Sequence, residues 1–444
     1  MTIESSILIL GGGPAGGAVA LGLRRLGYEV TLVSESRPFL AVEGINETAI
    51  TQMRRAGFSF ALRGLPDPEA KLVSWNGVVN HDRTERLVNR NEMDNGVLLD
   101  LQSTGVHVIE GRAGKITAFG NGYQVDVESD GRNMLIPARF LVEARGRGAP
   151  CQGLKRQRGE ETISLLQYRQ GDSSEVGSVV ESFDRGWAWL ASWSDGTRYL
   201  QLSLDASLSE LQDKDSIPKL FANELAKLKH ADSFLRDTRP VGLIHARSST
   251  PVLCNEAVSE NWIRVGDAAM ASDPMAGPGI AQTLSSAIEA PAVINTLIQK
   301  PERIELAKRY YQDMINHHFE RFGRSGRDRY NNEQRWSDNS FWSSRRNWPD
   351  TEPQISRTEP DSICISRRPV NKSGLISEED VVVTNDQPLG ILDIDGMPLA
   401  PVVRAIQHRK SHEPIEACLL REVGVPAEKC APLAQWLYNQ KWVA

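Results

Sequence analysis

This 444-residue chain has no apolar run near the roughly 18 residues that a membrane-spanning helix needs. Its five cysteines are scattered, without the CxxC spacing typical of metal sites and thiol redox motifs. The net charge of −6 gives no general attraction for nucleic acid or anionic membranes. Residues 1–4 carry no basic stretch of a secretory signal. We therefore expect a cytoplasmic protein with free thiols, without a metal site and without a membrane or nucleic-acid partner.

A glycine-rich turn follows the first apolar stretch, Ile7–Leu10, and precedes a helical pattern. Its sequence is Gly11-Gly12-Gly13-Pro14-Ala15-Gly16. In a dinucleotide-binding turn, Gly11 makes the turn, Gly13 allows close approach of a phosphate, and Gly16 lets the helix pack on the strand. Pro14 and Ala15 then open the helix, whose N-terminus attracts a pyrophosphate. The alternative is a strand–helix unit that has a tight turn and binds no ligand.

A carboxylate for the ribose hydroxyls should end the second strand, at residues 29–33. The usual position holds Ser34, and Glu35 follows it. We expect Glu35 to bind the ribose after a one-residue shift, with a weaker contact from Ser34 as the alternative.

A second glycine-rich segment lies some 250 residues later and comprises 266–269 and 273–279. Together, the two segments resemble FAD-dependent monooxygenases of the para-hydroxybenzoate hydroxylase class, which also contains the flavin halogenases. The resemblance spans about residues 5 to 330. It implies that Asp267 binds the ribityl chain of FAD, and that Pro274, Gly277 and Gly279 run along the isoalloxazine ring.

A third signature, Arg90-x-x-x-Asp94, resembles a helix of this family whose arginine lies near the flavin. One family mark differs, because the usual Gly-Ala-Asp-Gly is replaced by Glu143-Ala144-Arg145-Gly146. We therefore do not expect an acid-dependent nicotinamide contact there, although FAD is expected. NAD(P)H or another reductant and dioxygen are the co-substrates that the resemblance implies.

The expected fold is mixed α/β: a Rossmann-type FAD domain, an antiparallel-sheet substrate domain, and a small C-terminal domain compatible with a winged-helix-like unit. Alternating apolar stretches predict the antiparallel sheet. A segment rich in arginine and tryptophan separates the last two domains. The predicted domains are 1–70, 91–160 and 250–330 for FAD, 71–90 and 161–249 for the substrate, 331–374 as an Arg/Trp-rich linker, and 375–444 as the C-terminal domain.

The family's reaction implies a flavin C4a-hydroperoxide that hydroxylates an electron-rich ring, so the protein must mainly bind FAD and position the substrate. No motif names a catalytic residue. Trp187 and Trp189 share one strand face and are candidates, with ordinary sheet packing as the alternative. Glu43 and Glu47 are candidates on a loop that approaches the flavin, with a solvated helix cap as the alternative.

A narrower resemblance is to flavoproteins that hydroxylate a peptidyl tryptophan during tryptophylquinone biogenesis. It implies a protein partner, namely an amine dehydrogenase or oxidase subunit carrying the target tryptophan, and we expect the enzyme itself to be a monomer. The competing hypotheses are a small-molecule aromatic hydroxylase, a tryptophan halogenase, and an FAD-bound assembly factor without redox turnover. A halogenase needs an essential lysine, and we interpret the nearest candidate, Lys71, as a surface residue.

Arginine and tryptophan are enriched where partners bind tightly. We therefore expect a docking surface that includes Arg324, Arg327, Trp342 and Arg345 together with residues 375–444. The alternative is a basic helix and linker that cover the FAD domain.

Overall fold

The structure is a computed structural model, and it describes residues 5–37, 40–151, 153–172, 176–277, 279–409 and 412–443. The chain divides into two compact units. The first comprises Met1–Pro291 and Ile315–Thr351, and the second comprises Ala292–Met314 and Glu352–Ala444.

In the first half of the chain, most elements of the described residues are strands. The elements of this half are β1 (Ser5–Leu10), α1 (Pro14–Arg25), β2 (Val30–Ser34), β3 (Val42–Ile45), α2 (Glu47–Ala56), α3 (Phe60–Arg63), β4 (Glu69–Trp75), β5 (Val78–Asn89), α4 (Arg90–Ser103), β6 (His107–Glu110), β7 (Arg112–Phe119), β8 (Gly122–Ser129), β9 (Arg132–Glu143), β10 (Arg156–Arg158), β11 (Thr162–Gly171), β12 (Gly177–Phe183), β13 (Gly186–Ser192) and β14 (Thr197–Asp205).

Helices dominate the second half. The elements are α5 (Ile217–Leu225), α6 (Asp232–Leu235), β15 (Thr238–Ser248), β16 (Val252–Cys254), β17 (Trp262–Arg264), β18 (Met270–Ala271), α7 (Gly279–Gln299), α8 (Ile304–Asn331), α9 (Ser340–Arg345), β19 (Cys364–Lys372), β20 (Leu375–Val383), β21 (Asp393–Ile394), β22 (Met397–Pro398), α10 (Leu399–Gln407), α11 (Ile415–Cys418) and α12 (Ala427–Asn439), with a π-helical turn at Leu419–Val423.

A seven-stranded sheet in the order β6-β2-β1-β9-β8-β7, with β17 also on β9, forms the first part of unit 1. Strands β6, β2, β1, β9 and β17 run parallel, and β7 to β9 form an antiparallel meander. Because the parallel strands are covered on both faces, their residues are apolar in succession, and Ile7–Leu10 are fully buried. This arrangement confirms the predicted Rossmann-type fold.

An eight-stranded sheet in the order β15-β11-β14-β13-β12-β4-β5-β3 forms the second part of unit 1. One face packs against α5 and α6 through a core that includes Leu190, Leu202 and Phe221. The other face carries the aromatic residues Trp187, Trp189 and Tyr199. The predicted substrate segments, 71–90 and 161–249, supply all of these strands except β3.

Unit 2 has its own core, in which Val382, Leu399, Ile415 and Leu433 are buried together. Its sheet elements are the hairpin β19–β20 and the short pair β21–β22, which turns at the predicted Asp395-Gly396. Helices α10 to α12 follow. Because β19 starts at Cys364, the hairpin begins before residue 375, the predicted start of the C-terminal domain. The hairpin precedes helices α10 to α12 along the chain.

The segment predicted as a linker, 331–374, is divided between the units in the structure. Residues up to Thr351 cluster with unit 1, and those from Glu352 cluster with unit 2. Helix α9 lies in this segment and is anchored by Phe341 and Trp342, which are 2% and 0% exposed. The arginine- and tryptophan-rich composition thus reflects internal packing of unit 1.

Candidate FAD and substrate site

A cavity of about 1680 Å³ lies within unit 1. Ligand pockets usually measure about 300–1,000 Å³, so this one has room for a dinucleotide and a further ring. One end is lined by the glycine-rich turn and the other by the aromatic face of the eight-stranded sheet. Of the residues predicted to bind the cofactor or the substrate, those that line the cavity are Gly11, Gly13, Pro14, Ala15, Glu35, Glu43, Arg90, Trp187, Trp189, Asp267, Pro274, Gly277 and Gly279.

The glycines of the glycine-rich turn have two different structural roles. A Cβ at Gly13 would meet only Arg90 Nη2, at 3.8 Å, so this position is open toward the cavity. A Cβ at Gly16 would instead overlap the carbonyl oxygen of Gly11. Gly11 itself has a φ of +113°, which favours glycine. Gly13 therefore leaves space for a ligand, whereas Gly16 lets α1 pack against the turn.

Polar groups around the turn suit the ADP half of a dinucleotide. Helix α1 begins with Pro14, and its N-terminus lies at the cavity. Both Ser34 and Glu35 line the cavity, so both remain candidates for the ribose. Asn91 also lines the cavity, and its buried Oδ1 atom has no hydrogen-bond partner among the residues that the structure describes. A ligand at this end would supply the missing donor, and these residues fit the cofactor that the motifs imply.

Arg90 is held by two carboxylates. It donates from Nη1 to Glu43 and from Nη2 to Asp94, the latter at 3.0 Å. Burial alone would lower the pKa of Arg90, but Glu43 and Asp94 outweigh burial and raise it. Arg90 is therefore a fixed positive charge beside Gly13. Glu43, one of the catalytic candidates, is engaged in this ion pair.

Glu47 does not line the cavity. It is the first residue of α2, its side chain is 71% exposed, and its nearest cation is Arg86, at 3.4 Å. Asn46 caps this helix by accepting the N–H of Ala49 at 3.0 Å. The solvated helix start that we weighed as the alternative therefore describes Glu47, and its candidacy as a ring-proximal carboxylate is not supported.

The late glycine segment also lines the cavity. Asp267 accepts a hydrogen bond from Thr283 at 3.2 Å and lies 3.5 Å from Arg147. Asp273, which the sequence analysis did not single out, is buried and accepts the hydroxyl of Tyr330 at 3.0 Å. Burial raises the pKa of the Asp273 carboxyl. Pro278 lies outside the described residues.

The end of the cavity at the aromatic sheet face, here called the substrate end, contains the charged residues Lys71 and Glu85. The sequence analysis misjudged Lys71 and missed Glu85. Lys71 lines the cavity, and its ammonium lies 2.6 Å from the carboxylate of Glu85. Our interpretation of Lys71 as a surface residue is therefore wrong. Lys71, Val73 and Trp75 alternate along one face of β4, so the period of two residues could have revealed Lys71.

The predicted docking surface is wrong at Arg327, Trp342 and Arg345, which are buried, whereas the contribution of residues 375–444 stays a prediction. Trp342 is fully buried and donates its indole N–H to Phe183. Arg345 is 3% exposed and donates to Thr162 and to the carbonyl of Glu161. Arg324 and Arg327 pair with Asp350. Arginine and tryptophan are enriched at interfaces between proteins, but here the same composition serves an interface inside unit 1.

At the place of the family's aspartate, Arg145 lines the cavity and pairs with Glu143 at 2.6 Å.

None of the described helices is long and apolar enough to cross a membrane. Within the described ranges, no group of three or more His, Cys, Asp or Glu side chains is arranged to hold a metal ion.

Comparison with known proteins identifies the family. A solved structure of the peptidyl tryptophan dihydroxylase QhpG, essential for tryptophylquinone cofactor biogenesis, shares 41% sequence identity with this chain. The match covers 99% of this chain and 100% of that chain, with a TM-score of 0.86. The chain belongs to the QhpG family of flavin-dependent monooxygenases. The cofactor of the family is FAD, and its enzymes use a reductant and dioxygen.

More distant similarities agree with the fold. Residues 5–161 match the family model of pyridine nucleotide-disulphide oxidoreductases. The flavin-dependent halogenase CmlS has a TM-score of 0.77 at 17% identity, over 99% of this chain and 96% of its own. A tryptophan 2-halogenase of Chondromyces crocatus is 25% identical over 72% of this chain, which spans 66% of the halogenase's length. The putative FAD-dependent oxidoreductase LodB of Marinomonas mediterranea is 23% identical over 76% of this chain and 96% of its own.

Proposed function

We propose that this protein is an FAD-dependent monooxygenase that hydroxylates a tryptophan side chain of a partner protein during tryptophylquinone biogenesis. The observation that carries the proposal is the continuity of the cavity. It runs from an open glycine turn suited to a dinucleotide to a sheet face lined by Trp75, Trp187 and Trp189. An indole ring would be surrounded there by aromatic side chains, which favour offset or edge-to-face contacts.

Each end of the cavity has its own task. Gly13, the start of α1, Glu35 and Arg90 would hold the ADP half of FAD, and Asp267 would accept hydrogen bonds from ribityl hydroxyls. Pro274, Gly277 and Gly279 would lie beside the ring system. FAD held by these residues would supply the activation of dioxygen by electrons from a reductant, with one oxygen atom added to an electron-rich ring and the other released as water.

The protein's own residues orient the substrate and exclude water at the substrate end. Trp187 and Trp189 are 5% and 8% exposed and are packed by Tyr199, Tyr330 and Met275. This packing fixes their rings, so the cavity wall is rigid where the ring to be oxidised would lie. No residue of the described wall is required to form a covalent bond with the substrate in this reaction.

The proposed partner is an amine dehydrogenase or oxidase subunit that carries the target tryptophan. We propose that the enzyme meets it in the cytoplasm, because all five of its cysteines are free thiols, and that it acts as a monomer. Light scattering of the pure enzyme tests the monomer, and localisation of the tagged protein tests the compartment.

A tryptophan halogenase is the second candidate, favoured by a specific observation: a lysine, Lys71, lies in the cavity beside Trp189 and Glu85. The two activities are separated by one experiment. The holoenzyme is incubated with the candidate partner, reductant and oxygen, with and without chloride or bromide. The mass of the partner is then measured by mass spectrometry. Added oxygen independent of halide supports the hydroxylase, and halogen in the product supports the halogenase.

A further inference from the structure

Glu85 is a buried carboxylate on the cavity face of the eight-stranded sheet. It is 7% exposed and lines the cavity. Three donors hold it: Lys71 Nζ at 2.6 Å, Ser178 Oγ at 2.5 Å and Trp189 Nε1 at 3.0 Å. These donors come from β4, β12 and β13, so the carboxylate is fixed by three strands other than its own.

The carboxylate has room for a further donor. Among the described residues, its Oε1 accepts from Ser178 and Trp189, whereas Oε2 accepts only from Lys71. A carboxylate offers about four acceptor positions, two on each oxygen, so one position on Oε2 remains. The other residues on this face of the cavity include the apolar Val73 and Val180. The polar residues Arg83 and Gln201 line the cavity as well, so Glu85 is a buried acceptor within a wall of mixed apolar, aromatic and polar side chains.

An indole ring has a single hydrogen-bonding group, its N–H donor. Burying that donor without an acceptor costs about 1–3 kcal/mol. The structure already contains an indole N–H bound to this carboxylate, that of Trp189. The remaining acceptor position on Glu85 Oε2 is therefore complementary to the N–H donor of a second indole.

We propose that Glu85 accepts the indole N–H of the substrate tryptophan and makes the site selective for indole over rings that lack this donor. Lys71 is a positioning residue, because its ammonium holds Oε2 at 2.6 Å. The inference rests on the proposed function and deepens it by naming the residue that recognises the ring. Fixing the N–H edge also fixes which ring carbons face the cofactor end of the cavity.

The test measures binding without turnover. N-acetyltryptophanamide and N-acetyl-3-benzothienylalanine amide, in which sulfur replaces the indole N–H, are titrated calorimetrically into the oxidised FAD holoenzyme without reductant. Hydrogen bonds to charged groups contribute about 1.5–3 kcal/mol, so the indole compound should bind about tenfold to hundredfold more tightly. In Glu85→Gln/Lys71→Met the two affinities should become equal. Lys71→Met is needed as well, because the NH2 group of the new glutamine would otherwise face the Lys71 ammonium, and both groups are hydrogen-bond donors.

Glu181→Gln is the matched control. Glu181 is 3% exposed, accepts the backbone N–H groups of Lys229 and His230 at 2.8 and 3.0 Å, and does not line the cavity. Its substitution should leave the selectivity unchanged. Flavin absorbance and thermal unfolding show whether each variant remains folded and loaded. Should Glu85→Gln/Lys71→Met not fold, Lys71→Met alone, which keeps the carboxylate, should reduce the selectivity severalfold.

Three results overturn the inference: equal binding of the two compounds by the parent enzyme, selectivity that persists in the double variant, or no binding of either compound at the highest soluble concentration. The proposed function fails separately. Indole selectivity that depends on Glu85, combined with a partner that never gains oxygen, would contradict hydroxylation but not the recognition of indole.

Discussion

The two ends of the cavity are built in different ways. The cofactor end uses the backbone: Gly11 to Gly13 and the start of α1 form one contiguous segment, whose N–H groups and open Cβ position at Gly13 define the site. The substrate end uses side chains from separate strands, such as Lys71 on β4, Glu85 on β5 and Trp189 on β13. A contiguous backbone motif can be recognised in the sequence, whereas a side-chain cluster becomes visible only when the order of the strands is known.

The largest effect should come from Gly13→Val. The φ of Gly13 is −75°, and its Cβ would meet only Arg90 Nη2 at 3.8 Å, so valine fits the protein but occupies the space of the phosphates. We expect a folded protein that has lost FAD. Flavin absorbance after desalting and far-ultraviolet circular dichroism measure the two properties.

Gly16→Val is the comparison for this variant, since its Cβ would overlap the carbonyl oxygen of Gly11. It should lose both FAD and thermal stability. Full FAD occupancy in Gly13→Val would contradict the placement of the phosphates at the cofactor end.

Trp342→Ala tests the packing behind the substrate end. Trp342 contacts the rings of Trp75, Tyr330 and Phe341 at centroid distances of 5.4 to 5.9 Å. Truncating a buried tryptophan lowers the free energy of unfolding by about 3–5 kcal/mol, which urea unfolding of the holoenzyme should detect.

Leu243→Ala is the control for Trp342→Ala, because Leu243 is 80% exposed on β15 of the eight-stranded sheet, against which Trp342 packs. It should change the free energy of unfolding by less than about 0.5 kcal/mol. A Trp342→Ala protein of parental stability that no longer binds its partner would restore the docking surface that the sequence suggested.

Asp267→Ala returns to the cofactor end. Loss of charge-assisted hydrogen bonds to ribityl hydroxyls should weaken FAD binding by about 1.5–3 kcal/mol without unfolding the protein. Equilibrium titration of the apoprotein with FAD gives the dissociation constant. Glu47→Ala removes a carboxylate outside the cavity and should not change it. An unchanged constant for Asp267→Ala would place the ribityl chain elsewhere.

Lys71→Ala should have the smallest effect on the type of product. The parent enzyme should add oxygen whether or not chloride or bromide is present, and the variant should add oxygen more slowly, because Glu85 loses a charged partner. Mass spectrometry of the partner detects both elements. A halogenated product in the parent that disappears in Lys71→Ala would favour the halogenase.

The sequence predicted the strand, turn and helix at the glycine-rich segment and the main sheets, because these depend on local patterns. The strand Ile7–Leu10, the turn, helix α4 at 91–103 and the strands near 178–204 all follow from the periods of two or 3.6 residues and from glycine placement. The hairpin turn at Asp395-Gly396 is equally local.

The rest depends on contacts between distant segments. Lys71 resembled a surface residue because its partner, Glu85, lies on another strand and pairs with it only in the folded sheet. Trp342 and Arg345 resembled an interface because composition does not distinguish a protein partner from the protein's own sheet. Glu85 and Asp273 were missed because a single acidic residue in a strand or turn has no local signature of burial.

Hydroxylation of a protein-bound tryptophan is tested most directly by the mass of the partner. The holoenzyme, a candidate amine dehydrogenase or oxidase subunit, a reductant and oxygen are combined, and the modified peptide is sequenced by mass spectrometry. We predict one or two added oxygen atoms on a single tryptophan, requiring FAD, reductant and oxygen. Oxidation of free tryptophan as efficient as that of the partner, or reductant consumed without any oxygen in the partner, would contradict this account.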